Sequence, residues 1–408
     1  MRSGGVMNNQ NKNKTTMKRR LLLVGLTAFA VTPLFAQHMD FQSSATNEKS
    51  MFERVTNLEK KIDWFNLYLN MQGSFNLYIN GNDFNEASFR MDQLRIEMKG
   101  NITDRIYYRY RQRLNRSSSP LELDNMPASI DYAAVGYRLN DKLSLFLGKQ
   151  STAFGGFEFD LNPIEVYQYC DLIDYMNNFM TGLDVSYWVS PQHEFRFQVL
   201  NSRNGSFRNL YQVVPEGVEM TKAPLGYVLN WNGNFWEDLL KTRWSASIFH
   251  EAKKKNWYYY ALGTELNLHK FSGFFDFMYS TEDIDRTGIV STIASTDDIP
   301  VRALDACYLS LVLHLNYRFL PKWNVFVKGM YETANIQKNN QVFEKGNYRT
   351  SWGYFAGIEY YPMEENLHFF LNYLGRSYKY TERAREWGAM NNSPQRIELG
   401  FVYQLPVF

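Results

Sequence analysis

Arginines occupy one parity of positions in a short segment of the chain. The stretch RIYYRYRQRLN has four of them, Arg105, Arg109, Arg111 and Arg113. Apolar and aromatic residues take the alternate positions Ile106, Tyr108 and Tyr110. Because successive side chains of a strand point to opposite faces, the arginines share one face of a strand. Guanidinium groups bind phosphate and carboxylate through paired hydrogen bonds, so this face is predicted to attract anions.

The preceding stretch LRIEMKG has the same pattern and adds Arg95 and Lys99, with Glu97 between them. If these strands cross a membrane, the basic face must point inward, because each arginine on a lipid face costs about 2–4 kcal/mol. Rows of arginine favour anions in a pore. The predicted pore-lining and anion-binding residues are Arg95, Lys99, Arg105, Arg109, Arg111 and Arg113. The alternative is that these side chains only solvate a polar lumen. Further inward candidates have both signs, among them Lys149 and Arg196 against Asp184 and Glu194.

The elements that must position these residues show a period of two along the chain. From Trp64 to Asn80 the alternation runs for 17 residues, beginning WFNLYLNMQG. Soluble strands have about 5–6 residues, whereas a strand that spans a membrane needs about 9–11. The pattern recurs down the chain and predicts about 16 strands, including an ambiguous one near Ile130 to Tyr137.

The predicted connections form two sets. Short turns near 100–104, 140–142, 190–193, 269, 320–323 and 362–366 alternate with long polar loops. A soluble β-sandwich also has alternating strands, but it gives no reason for loop lengths to segregate. An even strand count with short turns on one side and long loops on the other is typical of outer-membrane barrels. We therefore predict an all-β fold, a 16-stranded antiparallel transmembrane β-barrel over residues 64–408.

The N-terminal region predicts export from the cell's interior. Basic residues at 18–20 precede the apolar run LLLVGLTAFAVTPLF and the small residue Ala36, which describes a cleaved signal peptide over 1–36. Without that segment the chain has 38 basic and 42 acidic residues, a net charge of about −4. This balance does not support a nucleic-acid partner. Residues 47–63 predict a short periplasmic helix, either a coiled coil or a loose amphipathic helix.

With its signal segment, short coiled coil, hairpin LRIEMKGNITDRIYYRYRQRLN and loop entry GKQSTAFGGFEFDLNPIEV, the chain resembles the phosphate-selective porin O and P family, in its Bacteroidetes-type branch. The resemblance implies a 16-stranded barrel, usually a homotrimer, in the outer membrane of a Gram-negative cell. It also implies an arginine-lined lumen and a third loop that folds inward.

The third predicted loop, from Gln150 to Phe179, is long enough to be functional. Its acids could stand opposite the arginine wall and produce a transverse electric field: Asp160, Glu165, Asp171 and Asp174. Instead, the loop could cover the barrel mouth or pack on a neighbouring subunit.

The sequence predicts a passive channel for small hydrophilic solutes, with a preference for anions that could include phosphate. Its partners would be such solutes and outer-membrane lipid, with no cofactor and no metal. An enzyme is disfavoured, because Ser310, His314 and His368 do not specify a catalytic triad. A disulfide between Cys170 and Cys307 is not expected. Three further functions are compatible with a barrel of this size: a transporter of hydrophobic compounds, a barrel hydrolase, and a structural or adhesin barrel.

Overall fold

The computed structural model describes residues 64–296, 299–340, 342–363 and 366–407. The predicted signal peptide at 1–36 and the predicted helix at 47–63 lie outside the described residues, so both stay predictions.

The described chain forms a closed antiparallel barrel in which each strand pairs with its neighbours in sequence. The first and last strands close the sheet, with Phe75 opposite Leu399 and Asn76 opposite Glu398. The predicted 16-stranded barrel is therefore confirmed, including the ambiguous fourth strand. The strands are β1 Asn66–Asn80, β2 Asp83–Asn101, β3 Ile106–Arg113, β4 Ile130–Asn140, β5 Leu143–Ser151, β6 Phe179–Ser190, β7 His193–Asn201, β8 Leu225–Phe235, β9 Leu240–Ala252, β10 Lys255–Asn267, β11 Phe271–Ile284, β12 Leu304–Leu320, β13 Trp323–Ile336, β14 Gly346–Tyr360, β15 Leu367–Tyr380 and β16 Pro394–Pro406.

Connections of two kinds divide the barrel into a turn end and a loop end. Both termini of the strand series lie at the turn end, with the short connections that follow β2, β4, β6, β8, β10, β12 and β14. The loop end has two tight hairpins, after β1 and β9, and six longer loops. Short helices lie in these loops: α1 Phe157–Asp160, α2 Asp171–Tyr175, α3 Phe207–Tyr211, α4 Ile289–Ala294 and α5 Glu382–Glu386, with a 3₁₀ turn at Pro163–Glu165. No helix in the described part of the chain is long and apolar enough to cross a membrane.

Alternating burial along the strands separates an apolar outer face from a polar inner face. On β13, Val325 and Val327 are exposed, whereas the residues that alternate with them, Phe326 and Lys328, are buried. Large apolar side chains on other strands share this outward exposure, including Leu147, Phe197 and Leu371. Side chains that fill the lumen bury the inward positions. The buried positions of this period of two are therefore the ones that face inside.

The loop between β3 and β4, here called L2, covers part of the outer wall. Lys149 lies on β5 opposite Thr181 of β6, on the face that alternates with the inward Gln150. Its ammonium is 3.1 Å from a carboxylate oxygen of Asp124 in L2, and Thr181 donates a hydrogen bond to the same oxygen. The expectation that Lys149 faces the lumen is therefore wrong. Its charge is tolerated outside because L2 brings an acid to it.

Candidate functional site

A column of basic residues runs along β2 and β3 on the lumen side. Arg95 of β2 lies opposite Arg113 of β3, and Lys99 lies opposite Arg109. Arg111 falls between the two pairs, opposite Glu97. Five of the six predicted residues are therefore brought together on one face. The sixth differs, because β3 begins at Ile106 and Arg105 is an exposed residue of the turn before it.

Two carboxylates partly neutralise the column. Arg95, Arg111 and Arg113 each have a nitrogen 3.1 Å from a carboxylate oxygen of Asp131. Arg109 pairs with Glu97 at 2.8 Å. Five basic residues against these two acids leave a local net charge of about +3.

The sequence pattern places Glu97 on the basic face, but it does not predict that Asp131 lies there too. The side chain of Asp131 has no exposed surface. The pairing of β3 with β4 shifts register at this point: Arg111 pairs with Tyr132, while Gln112 pairs with Ile130. Asp131 is the extra residue of this bulge. A β-bulge re-aims a side chain, and the simple alternation that identified the arginines does not mark its position.

Aromatic rings hold the basic groups in place. The Arg109 guanidinium lies 3.9 Å from the centre of the Tyr132 ring, and that of Arg111 lies 4.9 Å from it. Lys99 stands 5.1 Å from the ring centre of Tyr68. Cation–π contacts of this kind fix the orientation of a charge without removing it.

The loop between β5 and β6, here called L3, folds into the lumen and attaches to the wall opposite the basic column. Asp276 of β11 accepts hydrogen bonds from the backbone N–H groups of Phe157 and Glu158, each at 2.8 Å. Glu158 forms an ion pair with Lys328 of β13. Farther along, Asp171 accepts a hydrogen bond from Arg376 of β15 at 2.7 Å. The inward course predicted for this loop is confirmed.

L3 also has an apolar side that packs against the same half of the barrel. Phe154 lies between Phe249, Trp257 and Tyr259, with ring centres 5.1–5.8 Å away. Leu172 and Ile173 are buried in the same apolar cluster. A packed core therefore fills one half of the lumen. An open cavity, described below, remains on the side of β1 to β7.

The four acids predicted to oppose the arginine wall do not act together. Asp171 binds Arg349 and Arg376 on the far wall, so its predicted position facing the basic column is wrong. Asp160 pairs with Arg243 of β9 at 3.2 Å. Glu165 and Asp174 are exposed. Asp171 lies away from the basic column because the far wall supplies two buried guanidiniums that pair with it.

Tyr169 of L3 stands within electrostatic range of Arg95 and Arg111. Burial raises the pKa of its phenol, and the two arginines oppose that rise only in part. The group therefore stays neutral near pH 7 and adds no negative charge to the basic column.

An open cavity of about 550 Å³ lies in the lumen near the turn end. Residues from β1 to β7 line it, including Lys99 and Arg109 at one side and Glu194 and Arg196 at the other. Phe146 stacks on Tyr107 with ring centres 5.6 Å apart. Gly136 permits this platform, because a Cβ at that position would lie 2.0 Å from the Tyr107 ring. We call this cavity the chamber.

The residues considered for catalysis have other partners. Ser310 donates a hydrogen bond to Glu332 at 3.0 Å. His314 is stacked between Phe274 and Phe326, and His368 is 3.2 Å from the Tyr167 hydroxyl. Both cysteines are free and buried. In the described ranges, no group of three or more His, Cys, Asp or Glu residues is arranged to hold a metal ion.

Comparisons with known proteins agree with this geometry. The family model for phosphate-selective porin O and P matches residues 65–405. No curated protein matches the chain.

Solved structures of outer-membrane channels share the fold at low sequence identity. The outer membrane channel DcaP of Acinetobacter baumannii has a TM-score of 0.56 and 11% identity, covering 83% of this chain and 96% of that one. OmpF of Salmonella typhi, in complex with daunomycin, has a TM-score of 0.55 and 13% identity, covering 83% and 97%. OprB of Pseudomonas putida has a TM-score of 0.54 and 12% identity, covering 84% and 94%.

Proposed function

Because the chain belongs to the phosphate-selective porin O and P family, we propose that it lets small hydrophilic solutes diffuse passively through its lumen, with a preference for anions. Family membership and fold make it a channel protein of the outer membrane. The solute preference is the finer step, and it rests on the charges that line the lumen.

The observation that supports this preference is the basic column of β2 and β3 beside the open cavity. Arg109 and Lys99 line the chamber, and Arg113 continues the column toward the loop end. Successive positions on one face of a strand are about 7 Å apart, so the column offers an anion several sites along its path. Multiple weak sites suit conduction, because a solute must leave as readily as it enters.

Phosphate belongs to the solutes we propose, as one small anion among others. Asp131 already occupies Arg95 and Arg111, which lowers their capacity to hold a dianion. Arg109 pairs with Glu97 and Arg113 with Asp131, but these two side chains keep 34% and 26% of their surface exposed, against 6% for Arg95 and Arg111. These two are the guanidiniums best placed to meet a passing anion.

Single-channel current across a planar bilayer under a KCl gradient tests the proposal. We expect stable open steps with a reversal potential of the anion-selective sign. Replacing Arg109 and Arg113 with Gln should move that potential toward zero while the steps persist. Glu219→Gln, at an exposed loop position paired with Lys253, is the matched control and should change nothing. Open steps with cation selectivity would contradict the anion preference, and a folded barrel without conductance would contradict the channel.

We also propose that the chain assembles as a homotrimer with lipid around its outer face, that it has no catalytic activity, and that a signal peptide is removed on export. The resemblance of the chain to its family supports the trimer, and the residues at 18–36 support the cleavage.

A further inference from the structure

The chamber has charges of opposite sign at its two sides. Lys99 enters it from β2 and Glu194 enters it from β7, with β3 to β6 forming the curved wall between them. Both side chains are partly exposed to the cavity. A solute in the chamber therefore meets a cation and an anion at the same time.

These two groups lack the ion pairs that occupy most charges around them. Lys99 forms no salt bridge with any residue that the structure describes, and its ammonium faces the Tyr68 ring. Glu194 likewise has no ion pair there and accepts one hydrogen bond, from the Asn232 amide at 2.8 Å. Because an unpaired charge at a wet surface keeps its full capacity for a ligand, both are available to a solute.

The neighbouring charges reinforce this separation. Arg196 is already bound to Asp184, with 2.5 Å between nitrogen and oxygen. Asp160 of L3 adds a further acid on that side and pairs with Arg243. Three acids against two arginines give this side a net charge of about −1, whereas the basic column on the other side has about +3. A field across the chamber orients a solute that carries both signs.

From this geometry we infer that the chamber binds short zwitterionic peptides, with the terminal carboxylate at Lys99 and Arg109 and the terminal ammonium at Glu194. The inference rests on the proposed function, since it names a solute class for the same lumen. A tripeptide is about 10 Å long when extended, and a cavity of about 550 Å³ is within the range of small-ligand sites. Phe146 and Trp188 supply apolar surface to the peptide between its charged ends.

The test measures how long peptides interrupt the ion current of single channels. The probes are triglycine, its N-acetylated form, which lacks the ammonium, and its amide, which lacks the carboxylate. Triglycine should block about threefold to fivefold longer than either capped form, the size expected of one solvated ion pair. Equal block times for all three peptides overturn the inference.

Two variants test which side chain binds each end of the peptide. In Glu194→Gln, triglycine should no longer block longer than its N-acetylated form, but it should still block longer than its amide. In Lys99→Gln, triglycine should no longer block longer than its amide, but it should still block longer than its N-acetylated form. Glu194→Asp keeps the charge and should keep the advantage, which separates binding from a folding defect. A block unchanged in Glu194→Gln overturns the assignment. Because the same channels report their reversal potential, anion-selective steps without peptide discrimination refute the inference and leave the proposed function standing.

Discussion

At the scale of single residues, Asp131 decides how much of the arginine charge reaches the lumen. It is fully buried, and three guanidiniums converge on it. Removing one partner of a buried pair leaves the other charges uncompensated, which costs about 3–5 kcal/mol. We therefore expect Asp131→Asn to lower the free energy of unfolding by about that amount. In channels that still fold, it should make the reversal potential more strongly anion-selective.

Urea unfolding in lipid vesicles and the bilayer reversal potential measure these two effects on one preparation. Glu344→Gln is the control, since Glu344 forms a largely exposed pair with Arg383 and should leave both quantities unchanged. An Asp131→Asn channel with unaltered selectivity would show that the column does not set the field of the pore.

At the scale of elements, L3 keeps its position through contacts with strands far away in sequence. Asp276 accepts two backbone hydrogen bonds from the start of α1. Hydrogen bonds to a charged group contribute about 1.5–3 kcal/mol each. Asp276→Ala should therefore lower the free energy of unfolding by about 3 kcal/mol or more.

The same variant should give noisier single-channel currents, because the first turn of L3 is released while its later attachment at Asp171 remains. Glu219→Ala, which removes an exposed loop pair with Lys253, is the comparison. Currents as quiet as those of the unaltered chain would mean that the remaining contacts of L3, among them the packing of Phe154 and the Glu158–Lys328 pair, fix the loop without Asp276.

The same elements show what the sequence can predict. Alternation identified the strands and the inward face of Arg109, Arg111 and Arg113, because each strand carries its own period. The length and composition of the segment between β5 and β6 predicted L3. Alternation could not predict that Asp171 would meet Arg349 and Arg376, since more than 170 residues separate them and only barrel closure brings them together. The period of β5 places Lys149 on the outward face of Leu147, and only its charge favoured the lumen, because the strand pattern does not show that Asp124 of L2 supplies the counter-charge.

At the scale of the whole molecule, two levels of aromatic pairs on the outer face mark the apolar belt. On β13 and β14, Trp323 contacts Tyr360 near the turn end, with ring centres 4.7 Å apart. Tyr331 contacts Trp352 nearer the loop end, with ring centres 6.0 Å apart. The eight residue steps from 323 to 331 span about 27 Å along the strand. With a tilt of about 40°, the distance along the barrel axis is about 21 Å, slightly less than the ~25 Å apolar belt of an outer-membrane barrel.

Val327 lies midway between these two levels and is 52% exposed on the outer face. Val327→Arg should therefore lower the free energy of unfolding in lipid vesicles by about 2–4 kcal/mol, the depth-dependent cost of a cation at the midplane. Ser186→Arg, which places the same side chain in the chamber, should cost much less because water reaches it there. If the chain forms the proposed homotrimer and β13 faces lipid, native mass spectrometry should give three chains per particle for both variants. If Val327→Arg instead releases single chains at an unchanged free energy of unfolding, β13 belongs to the contact between subunits, and the lipid face must lie elsewhere on the barrel.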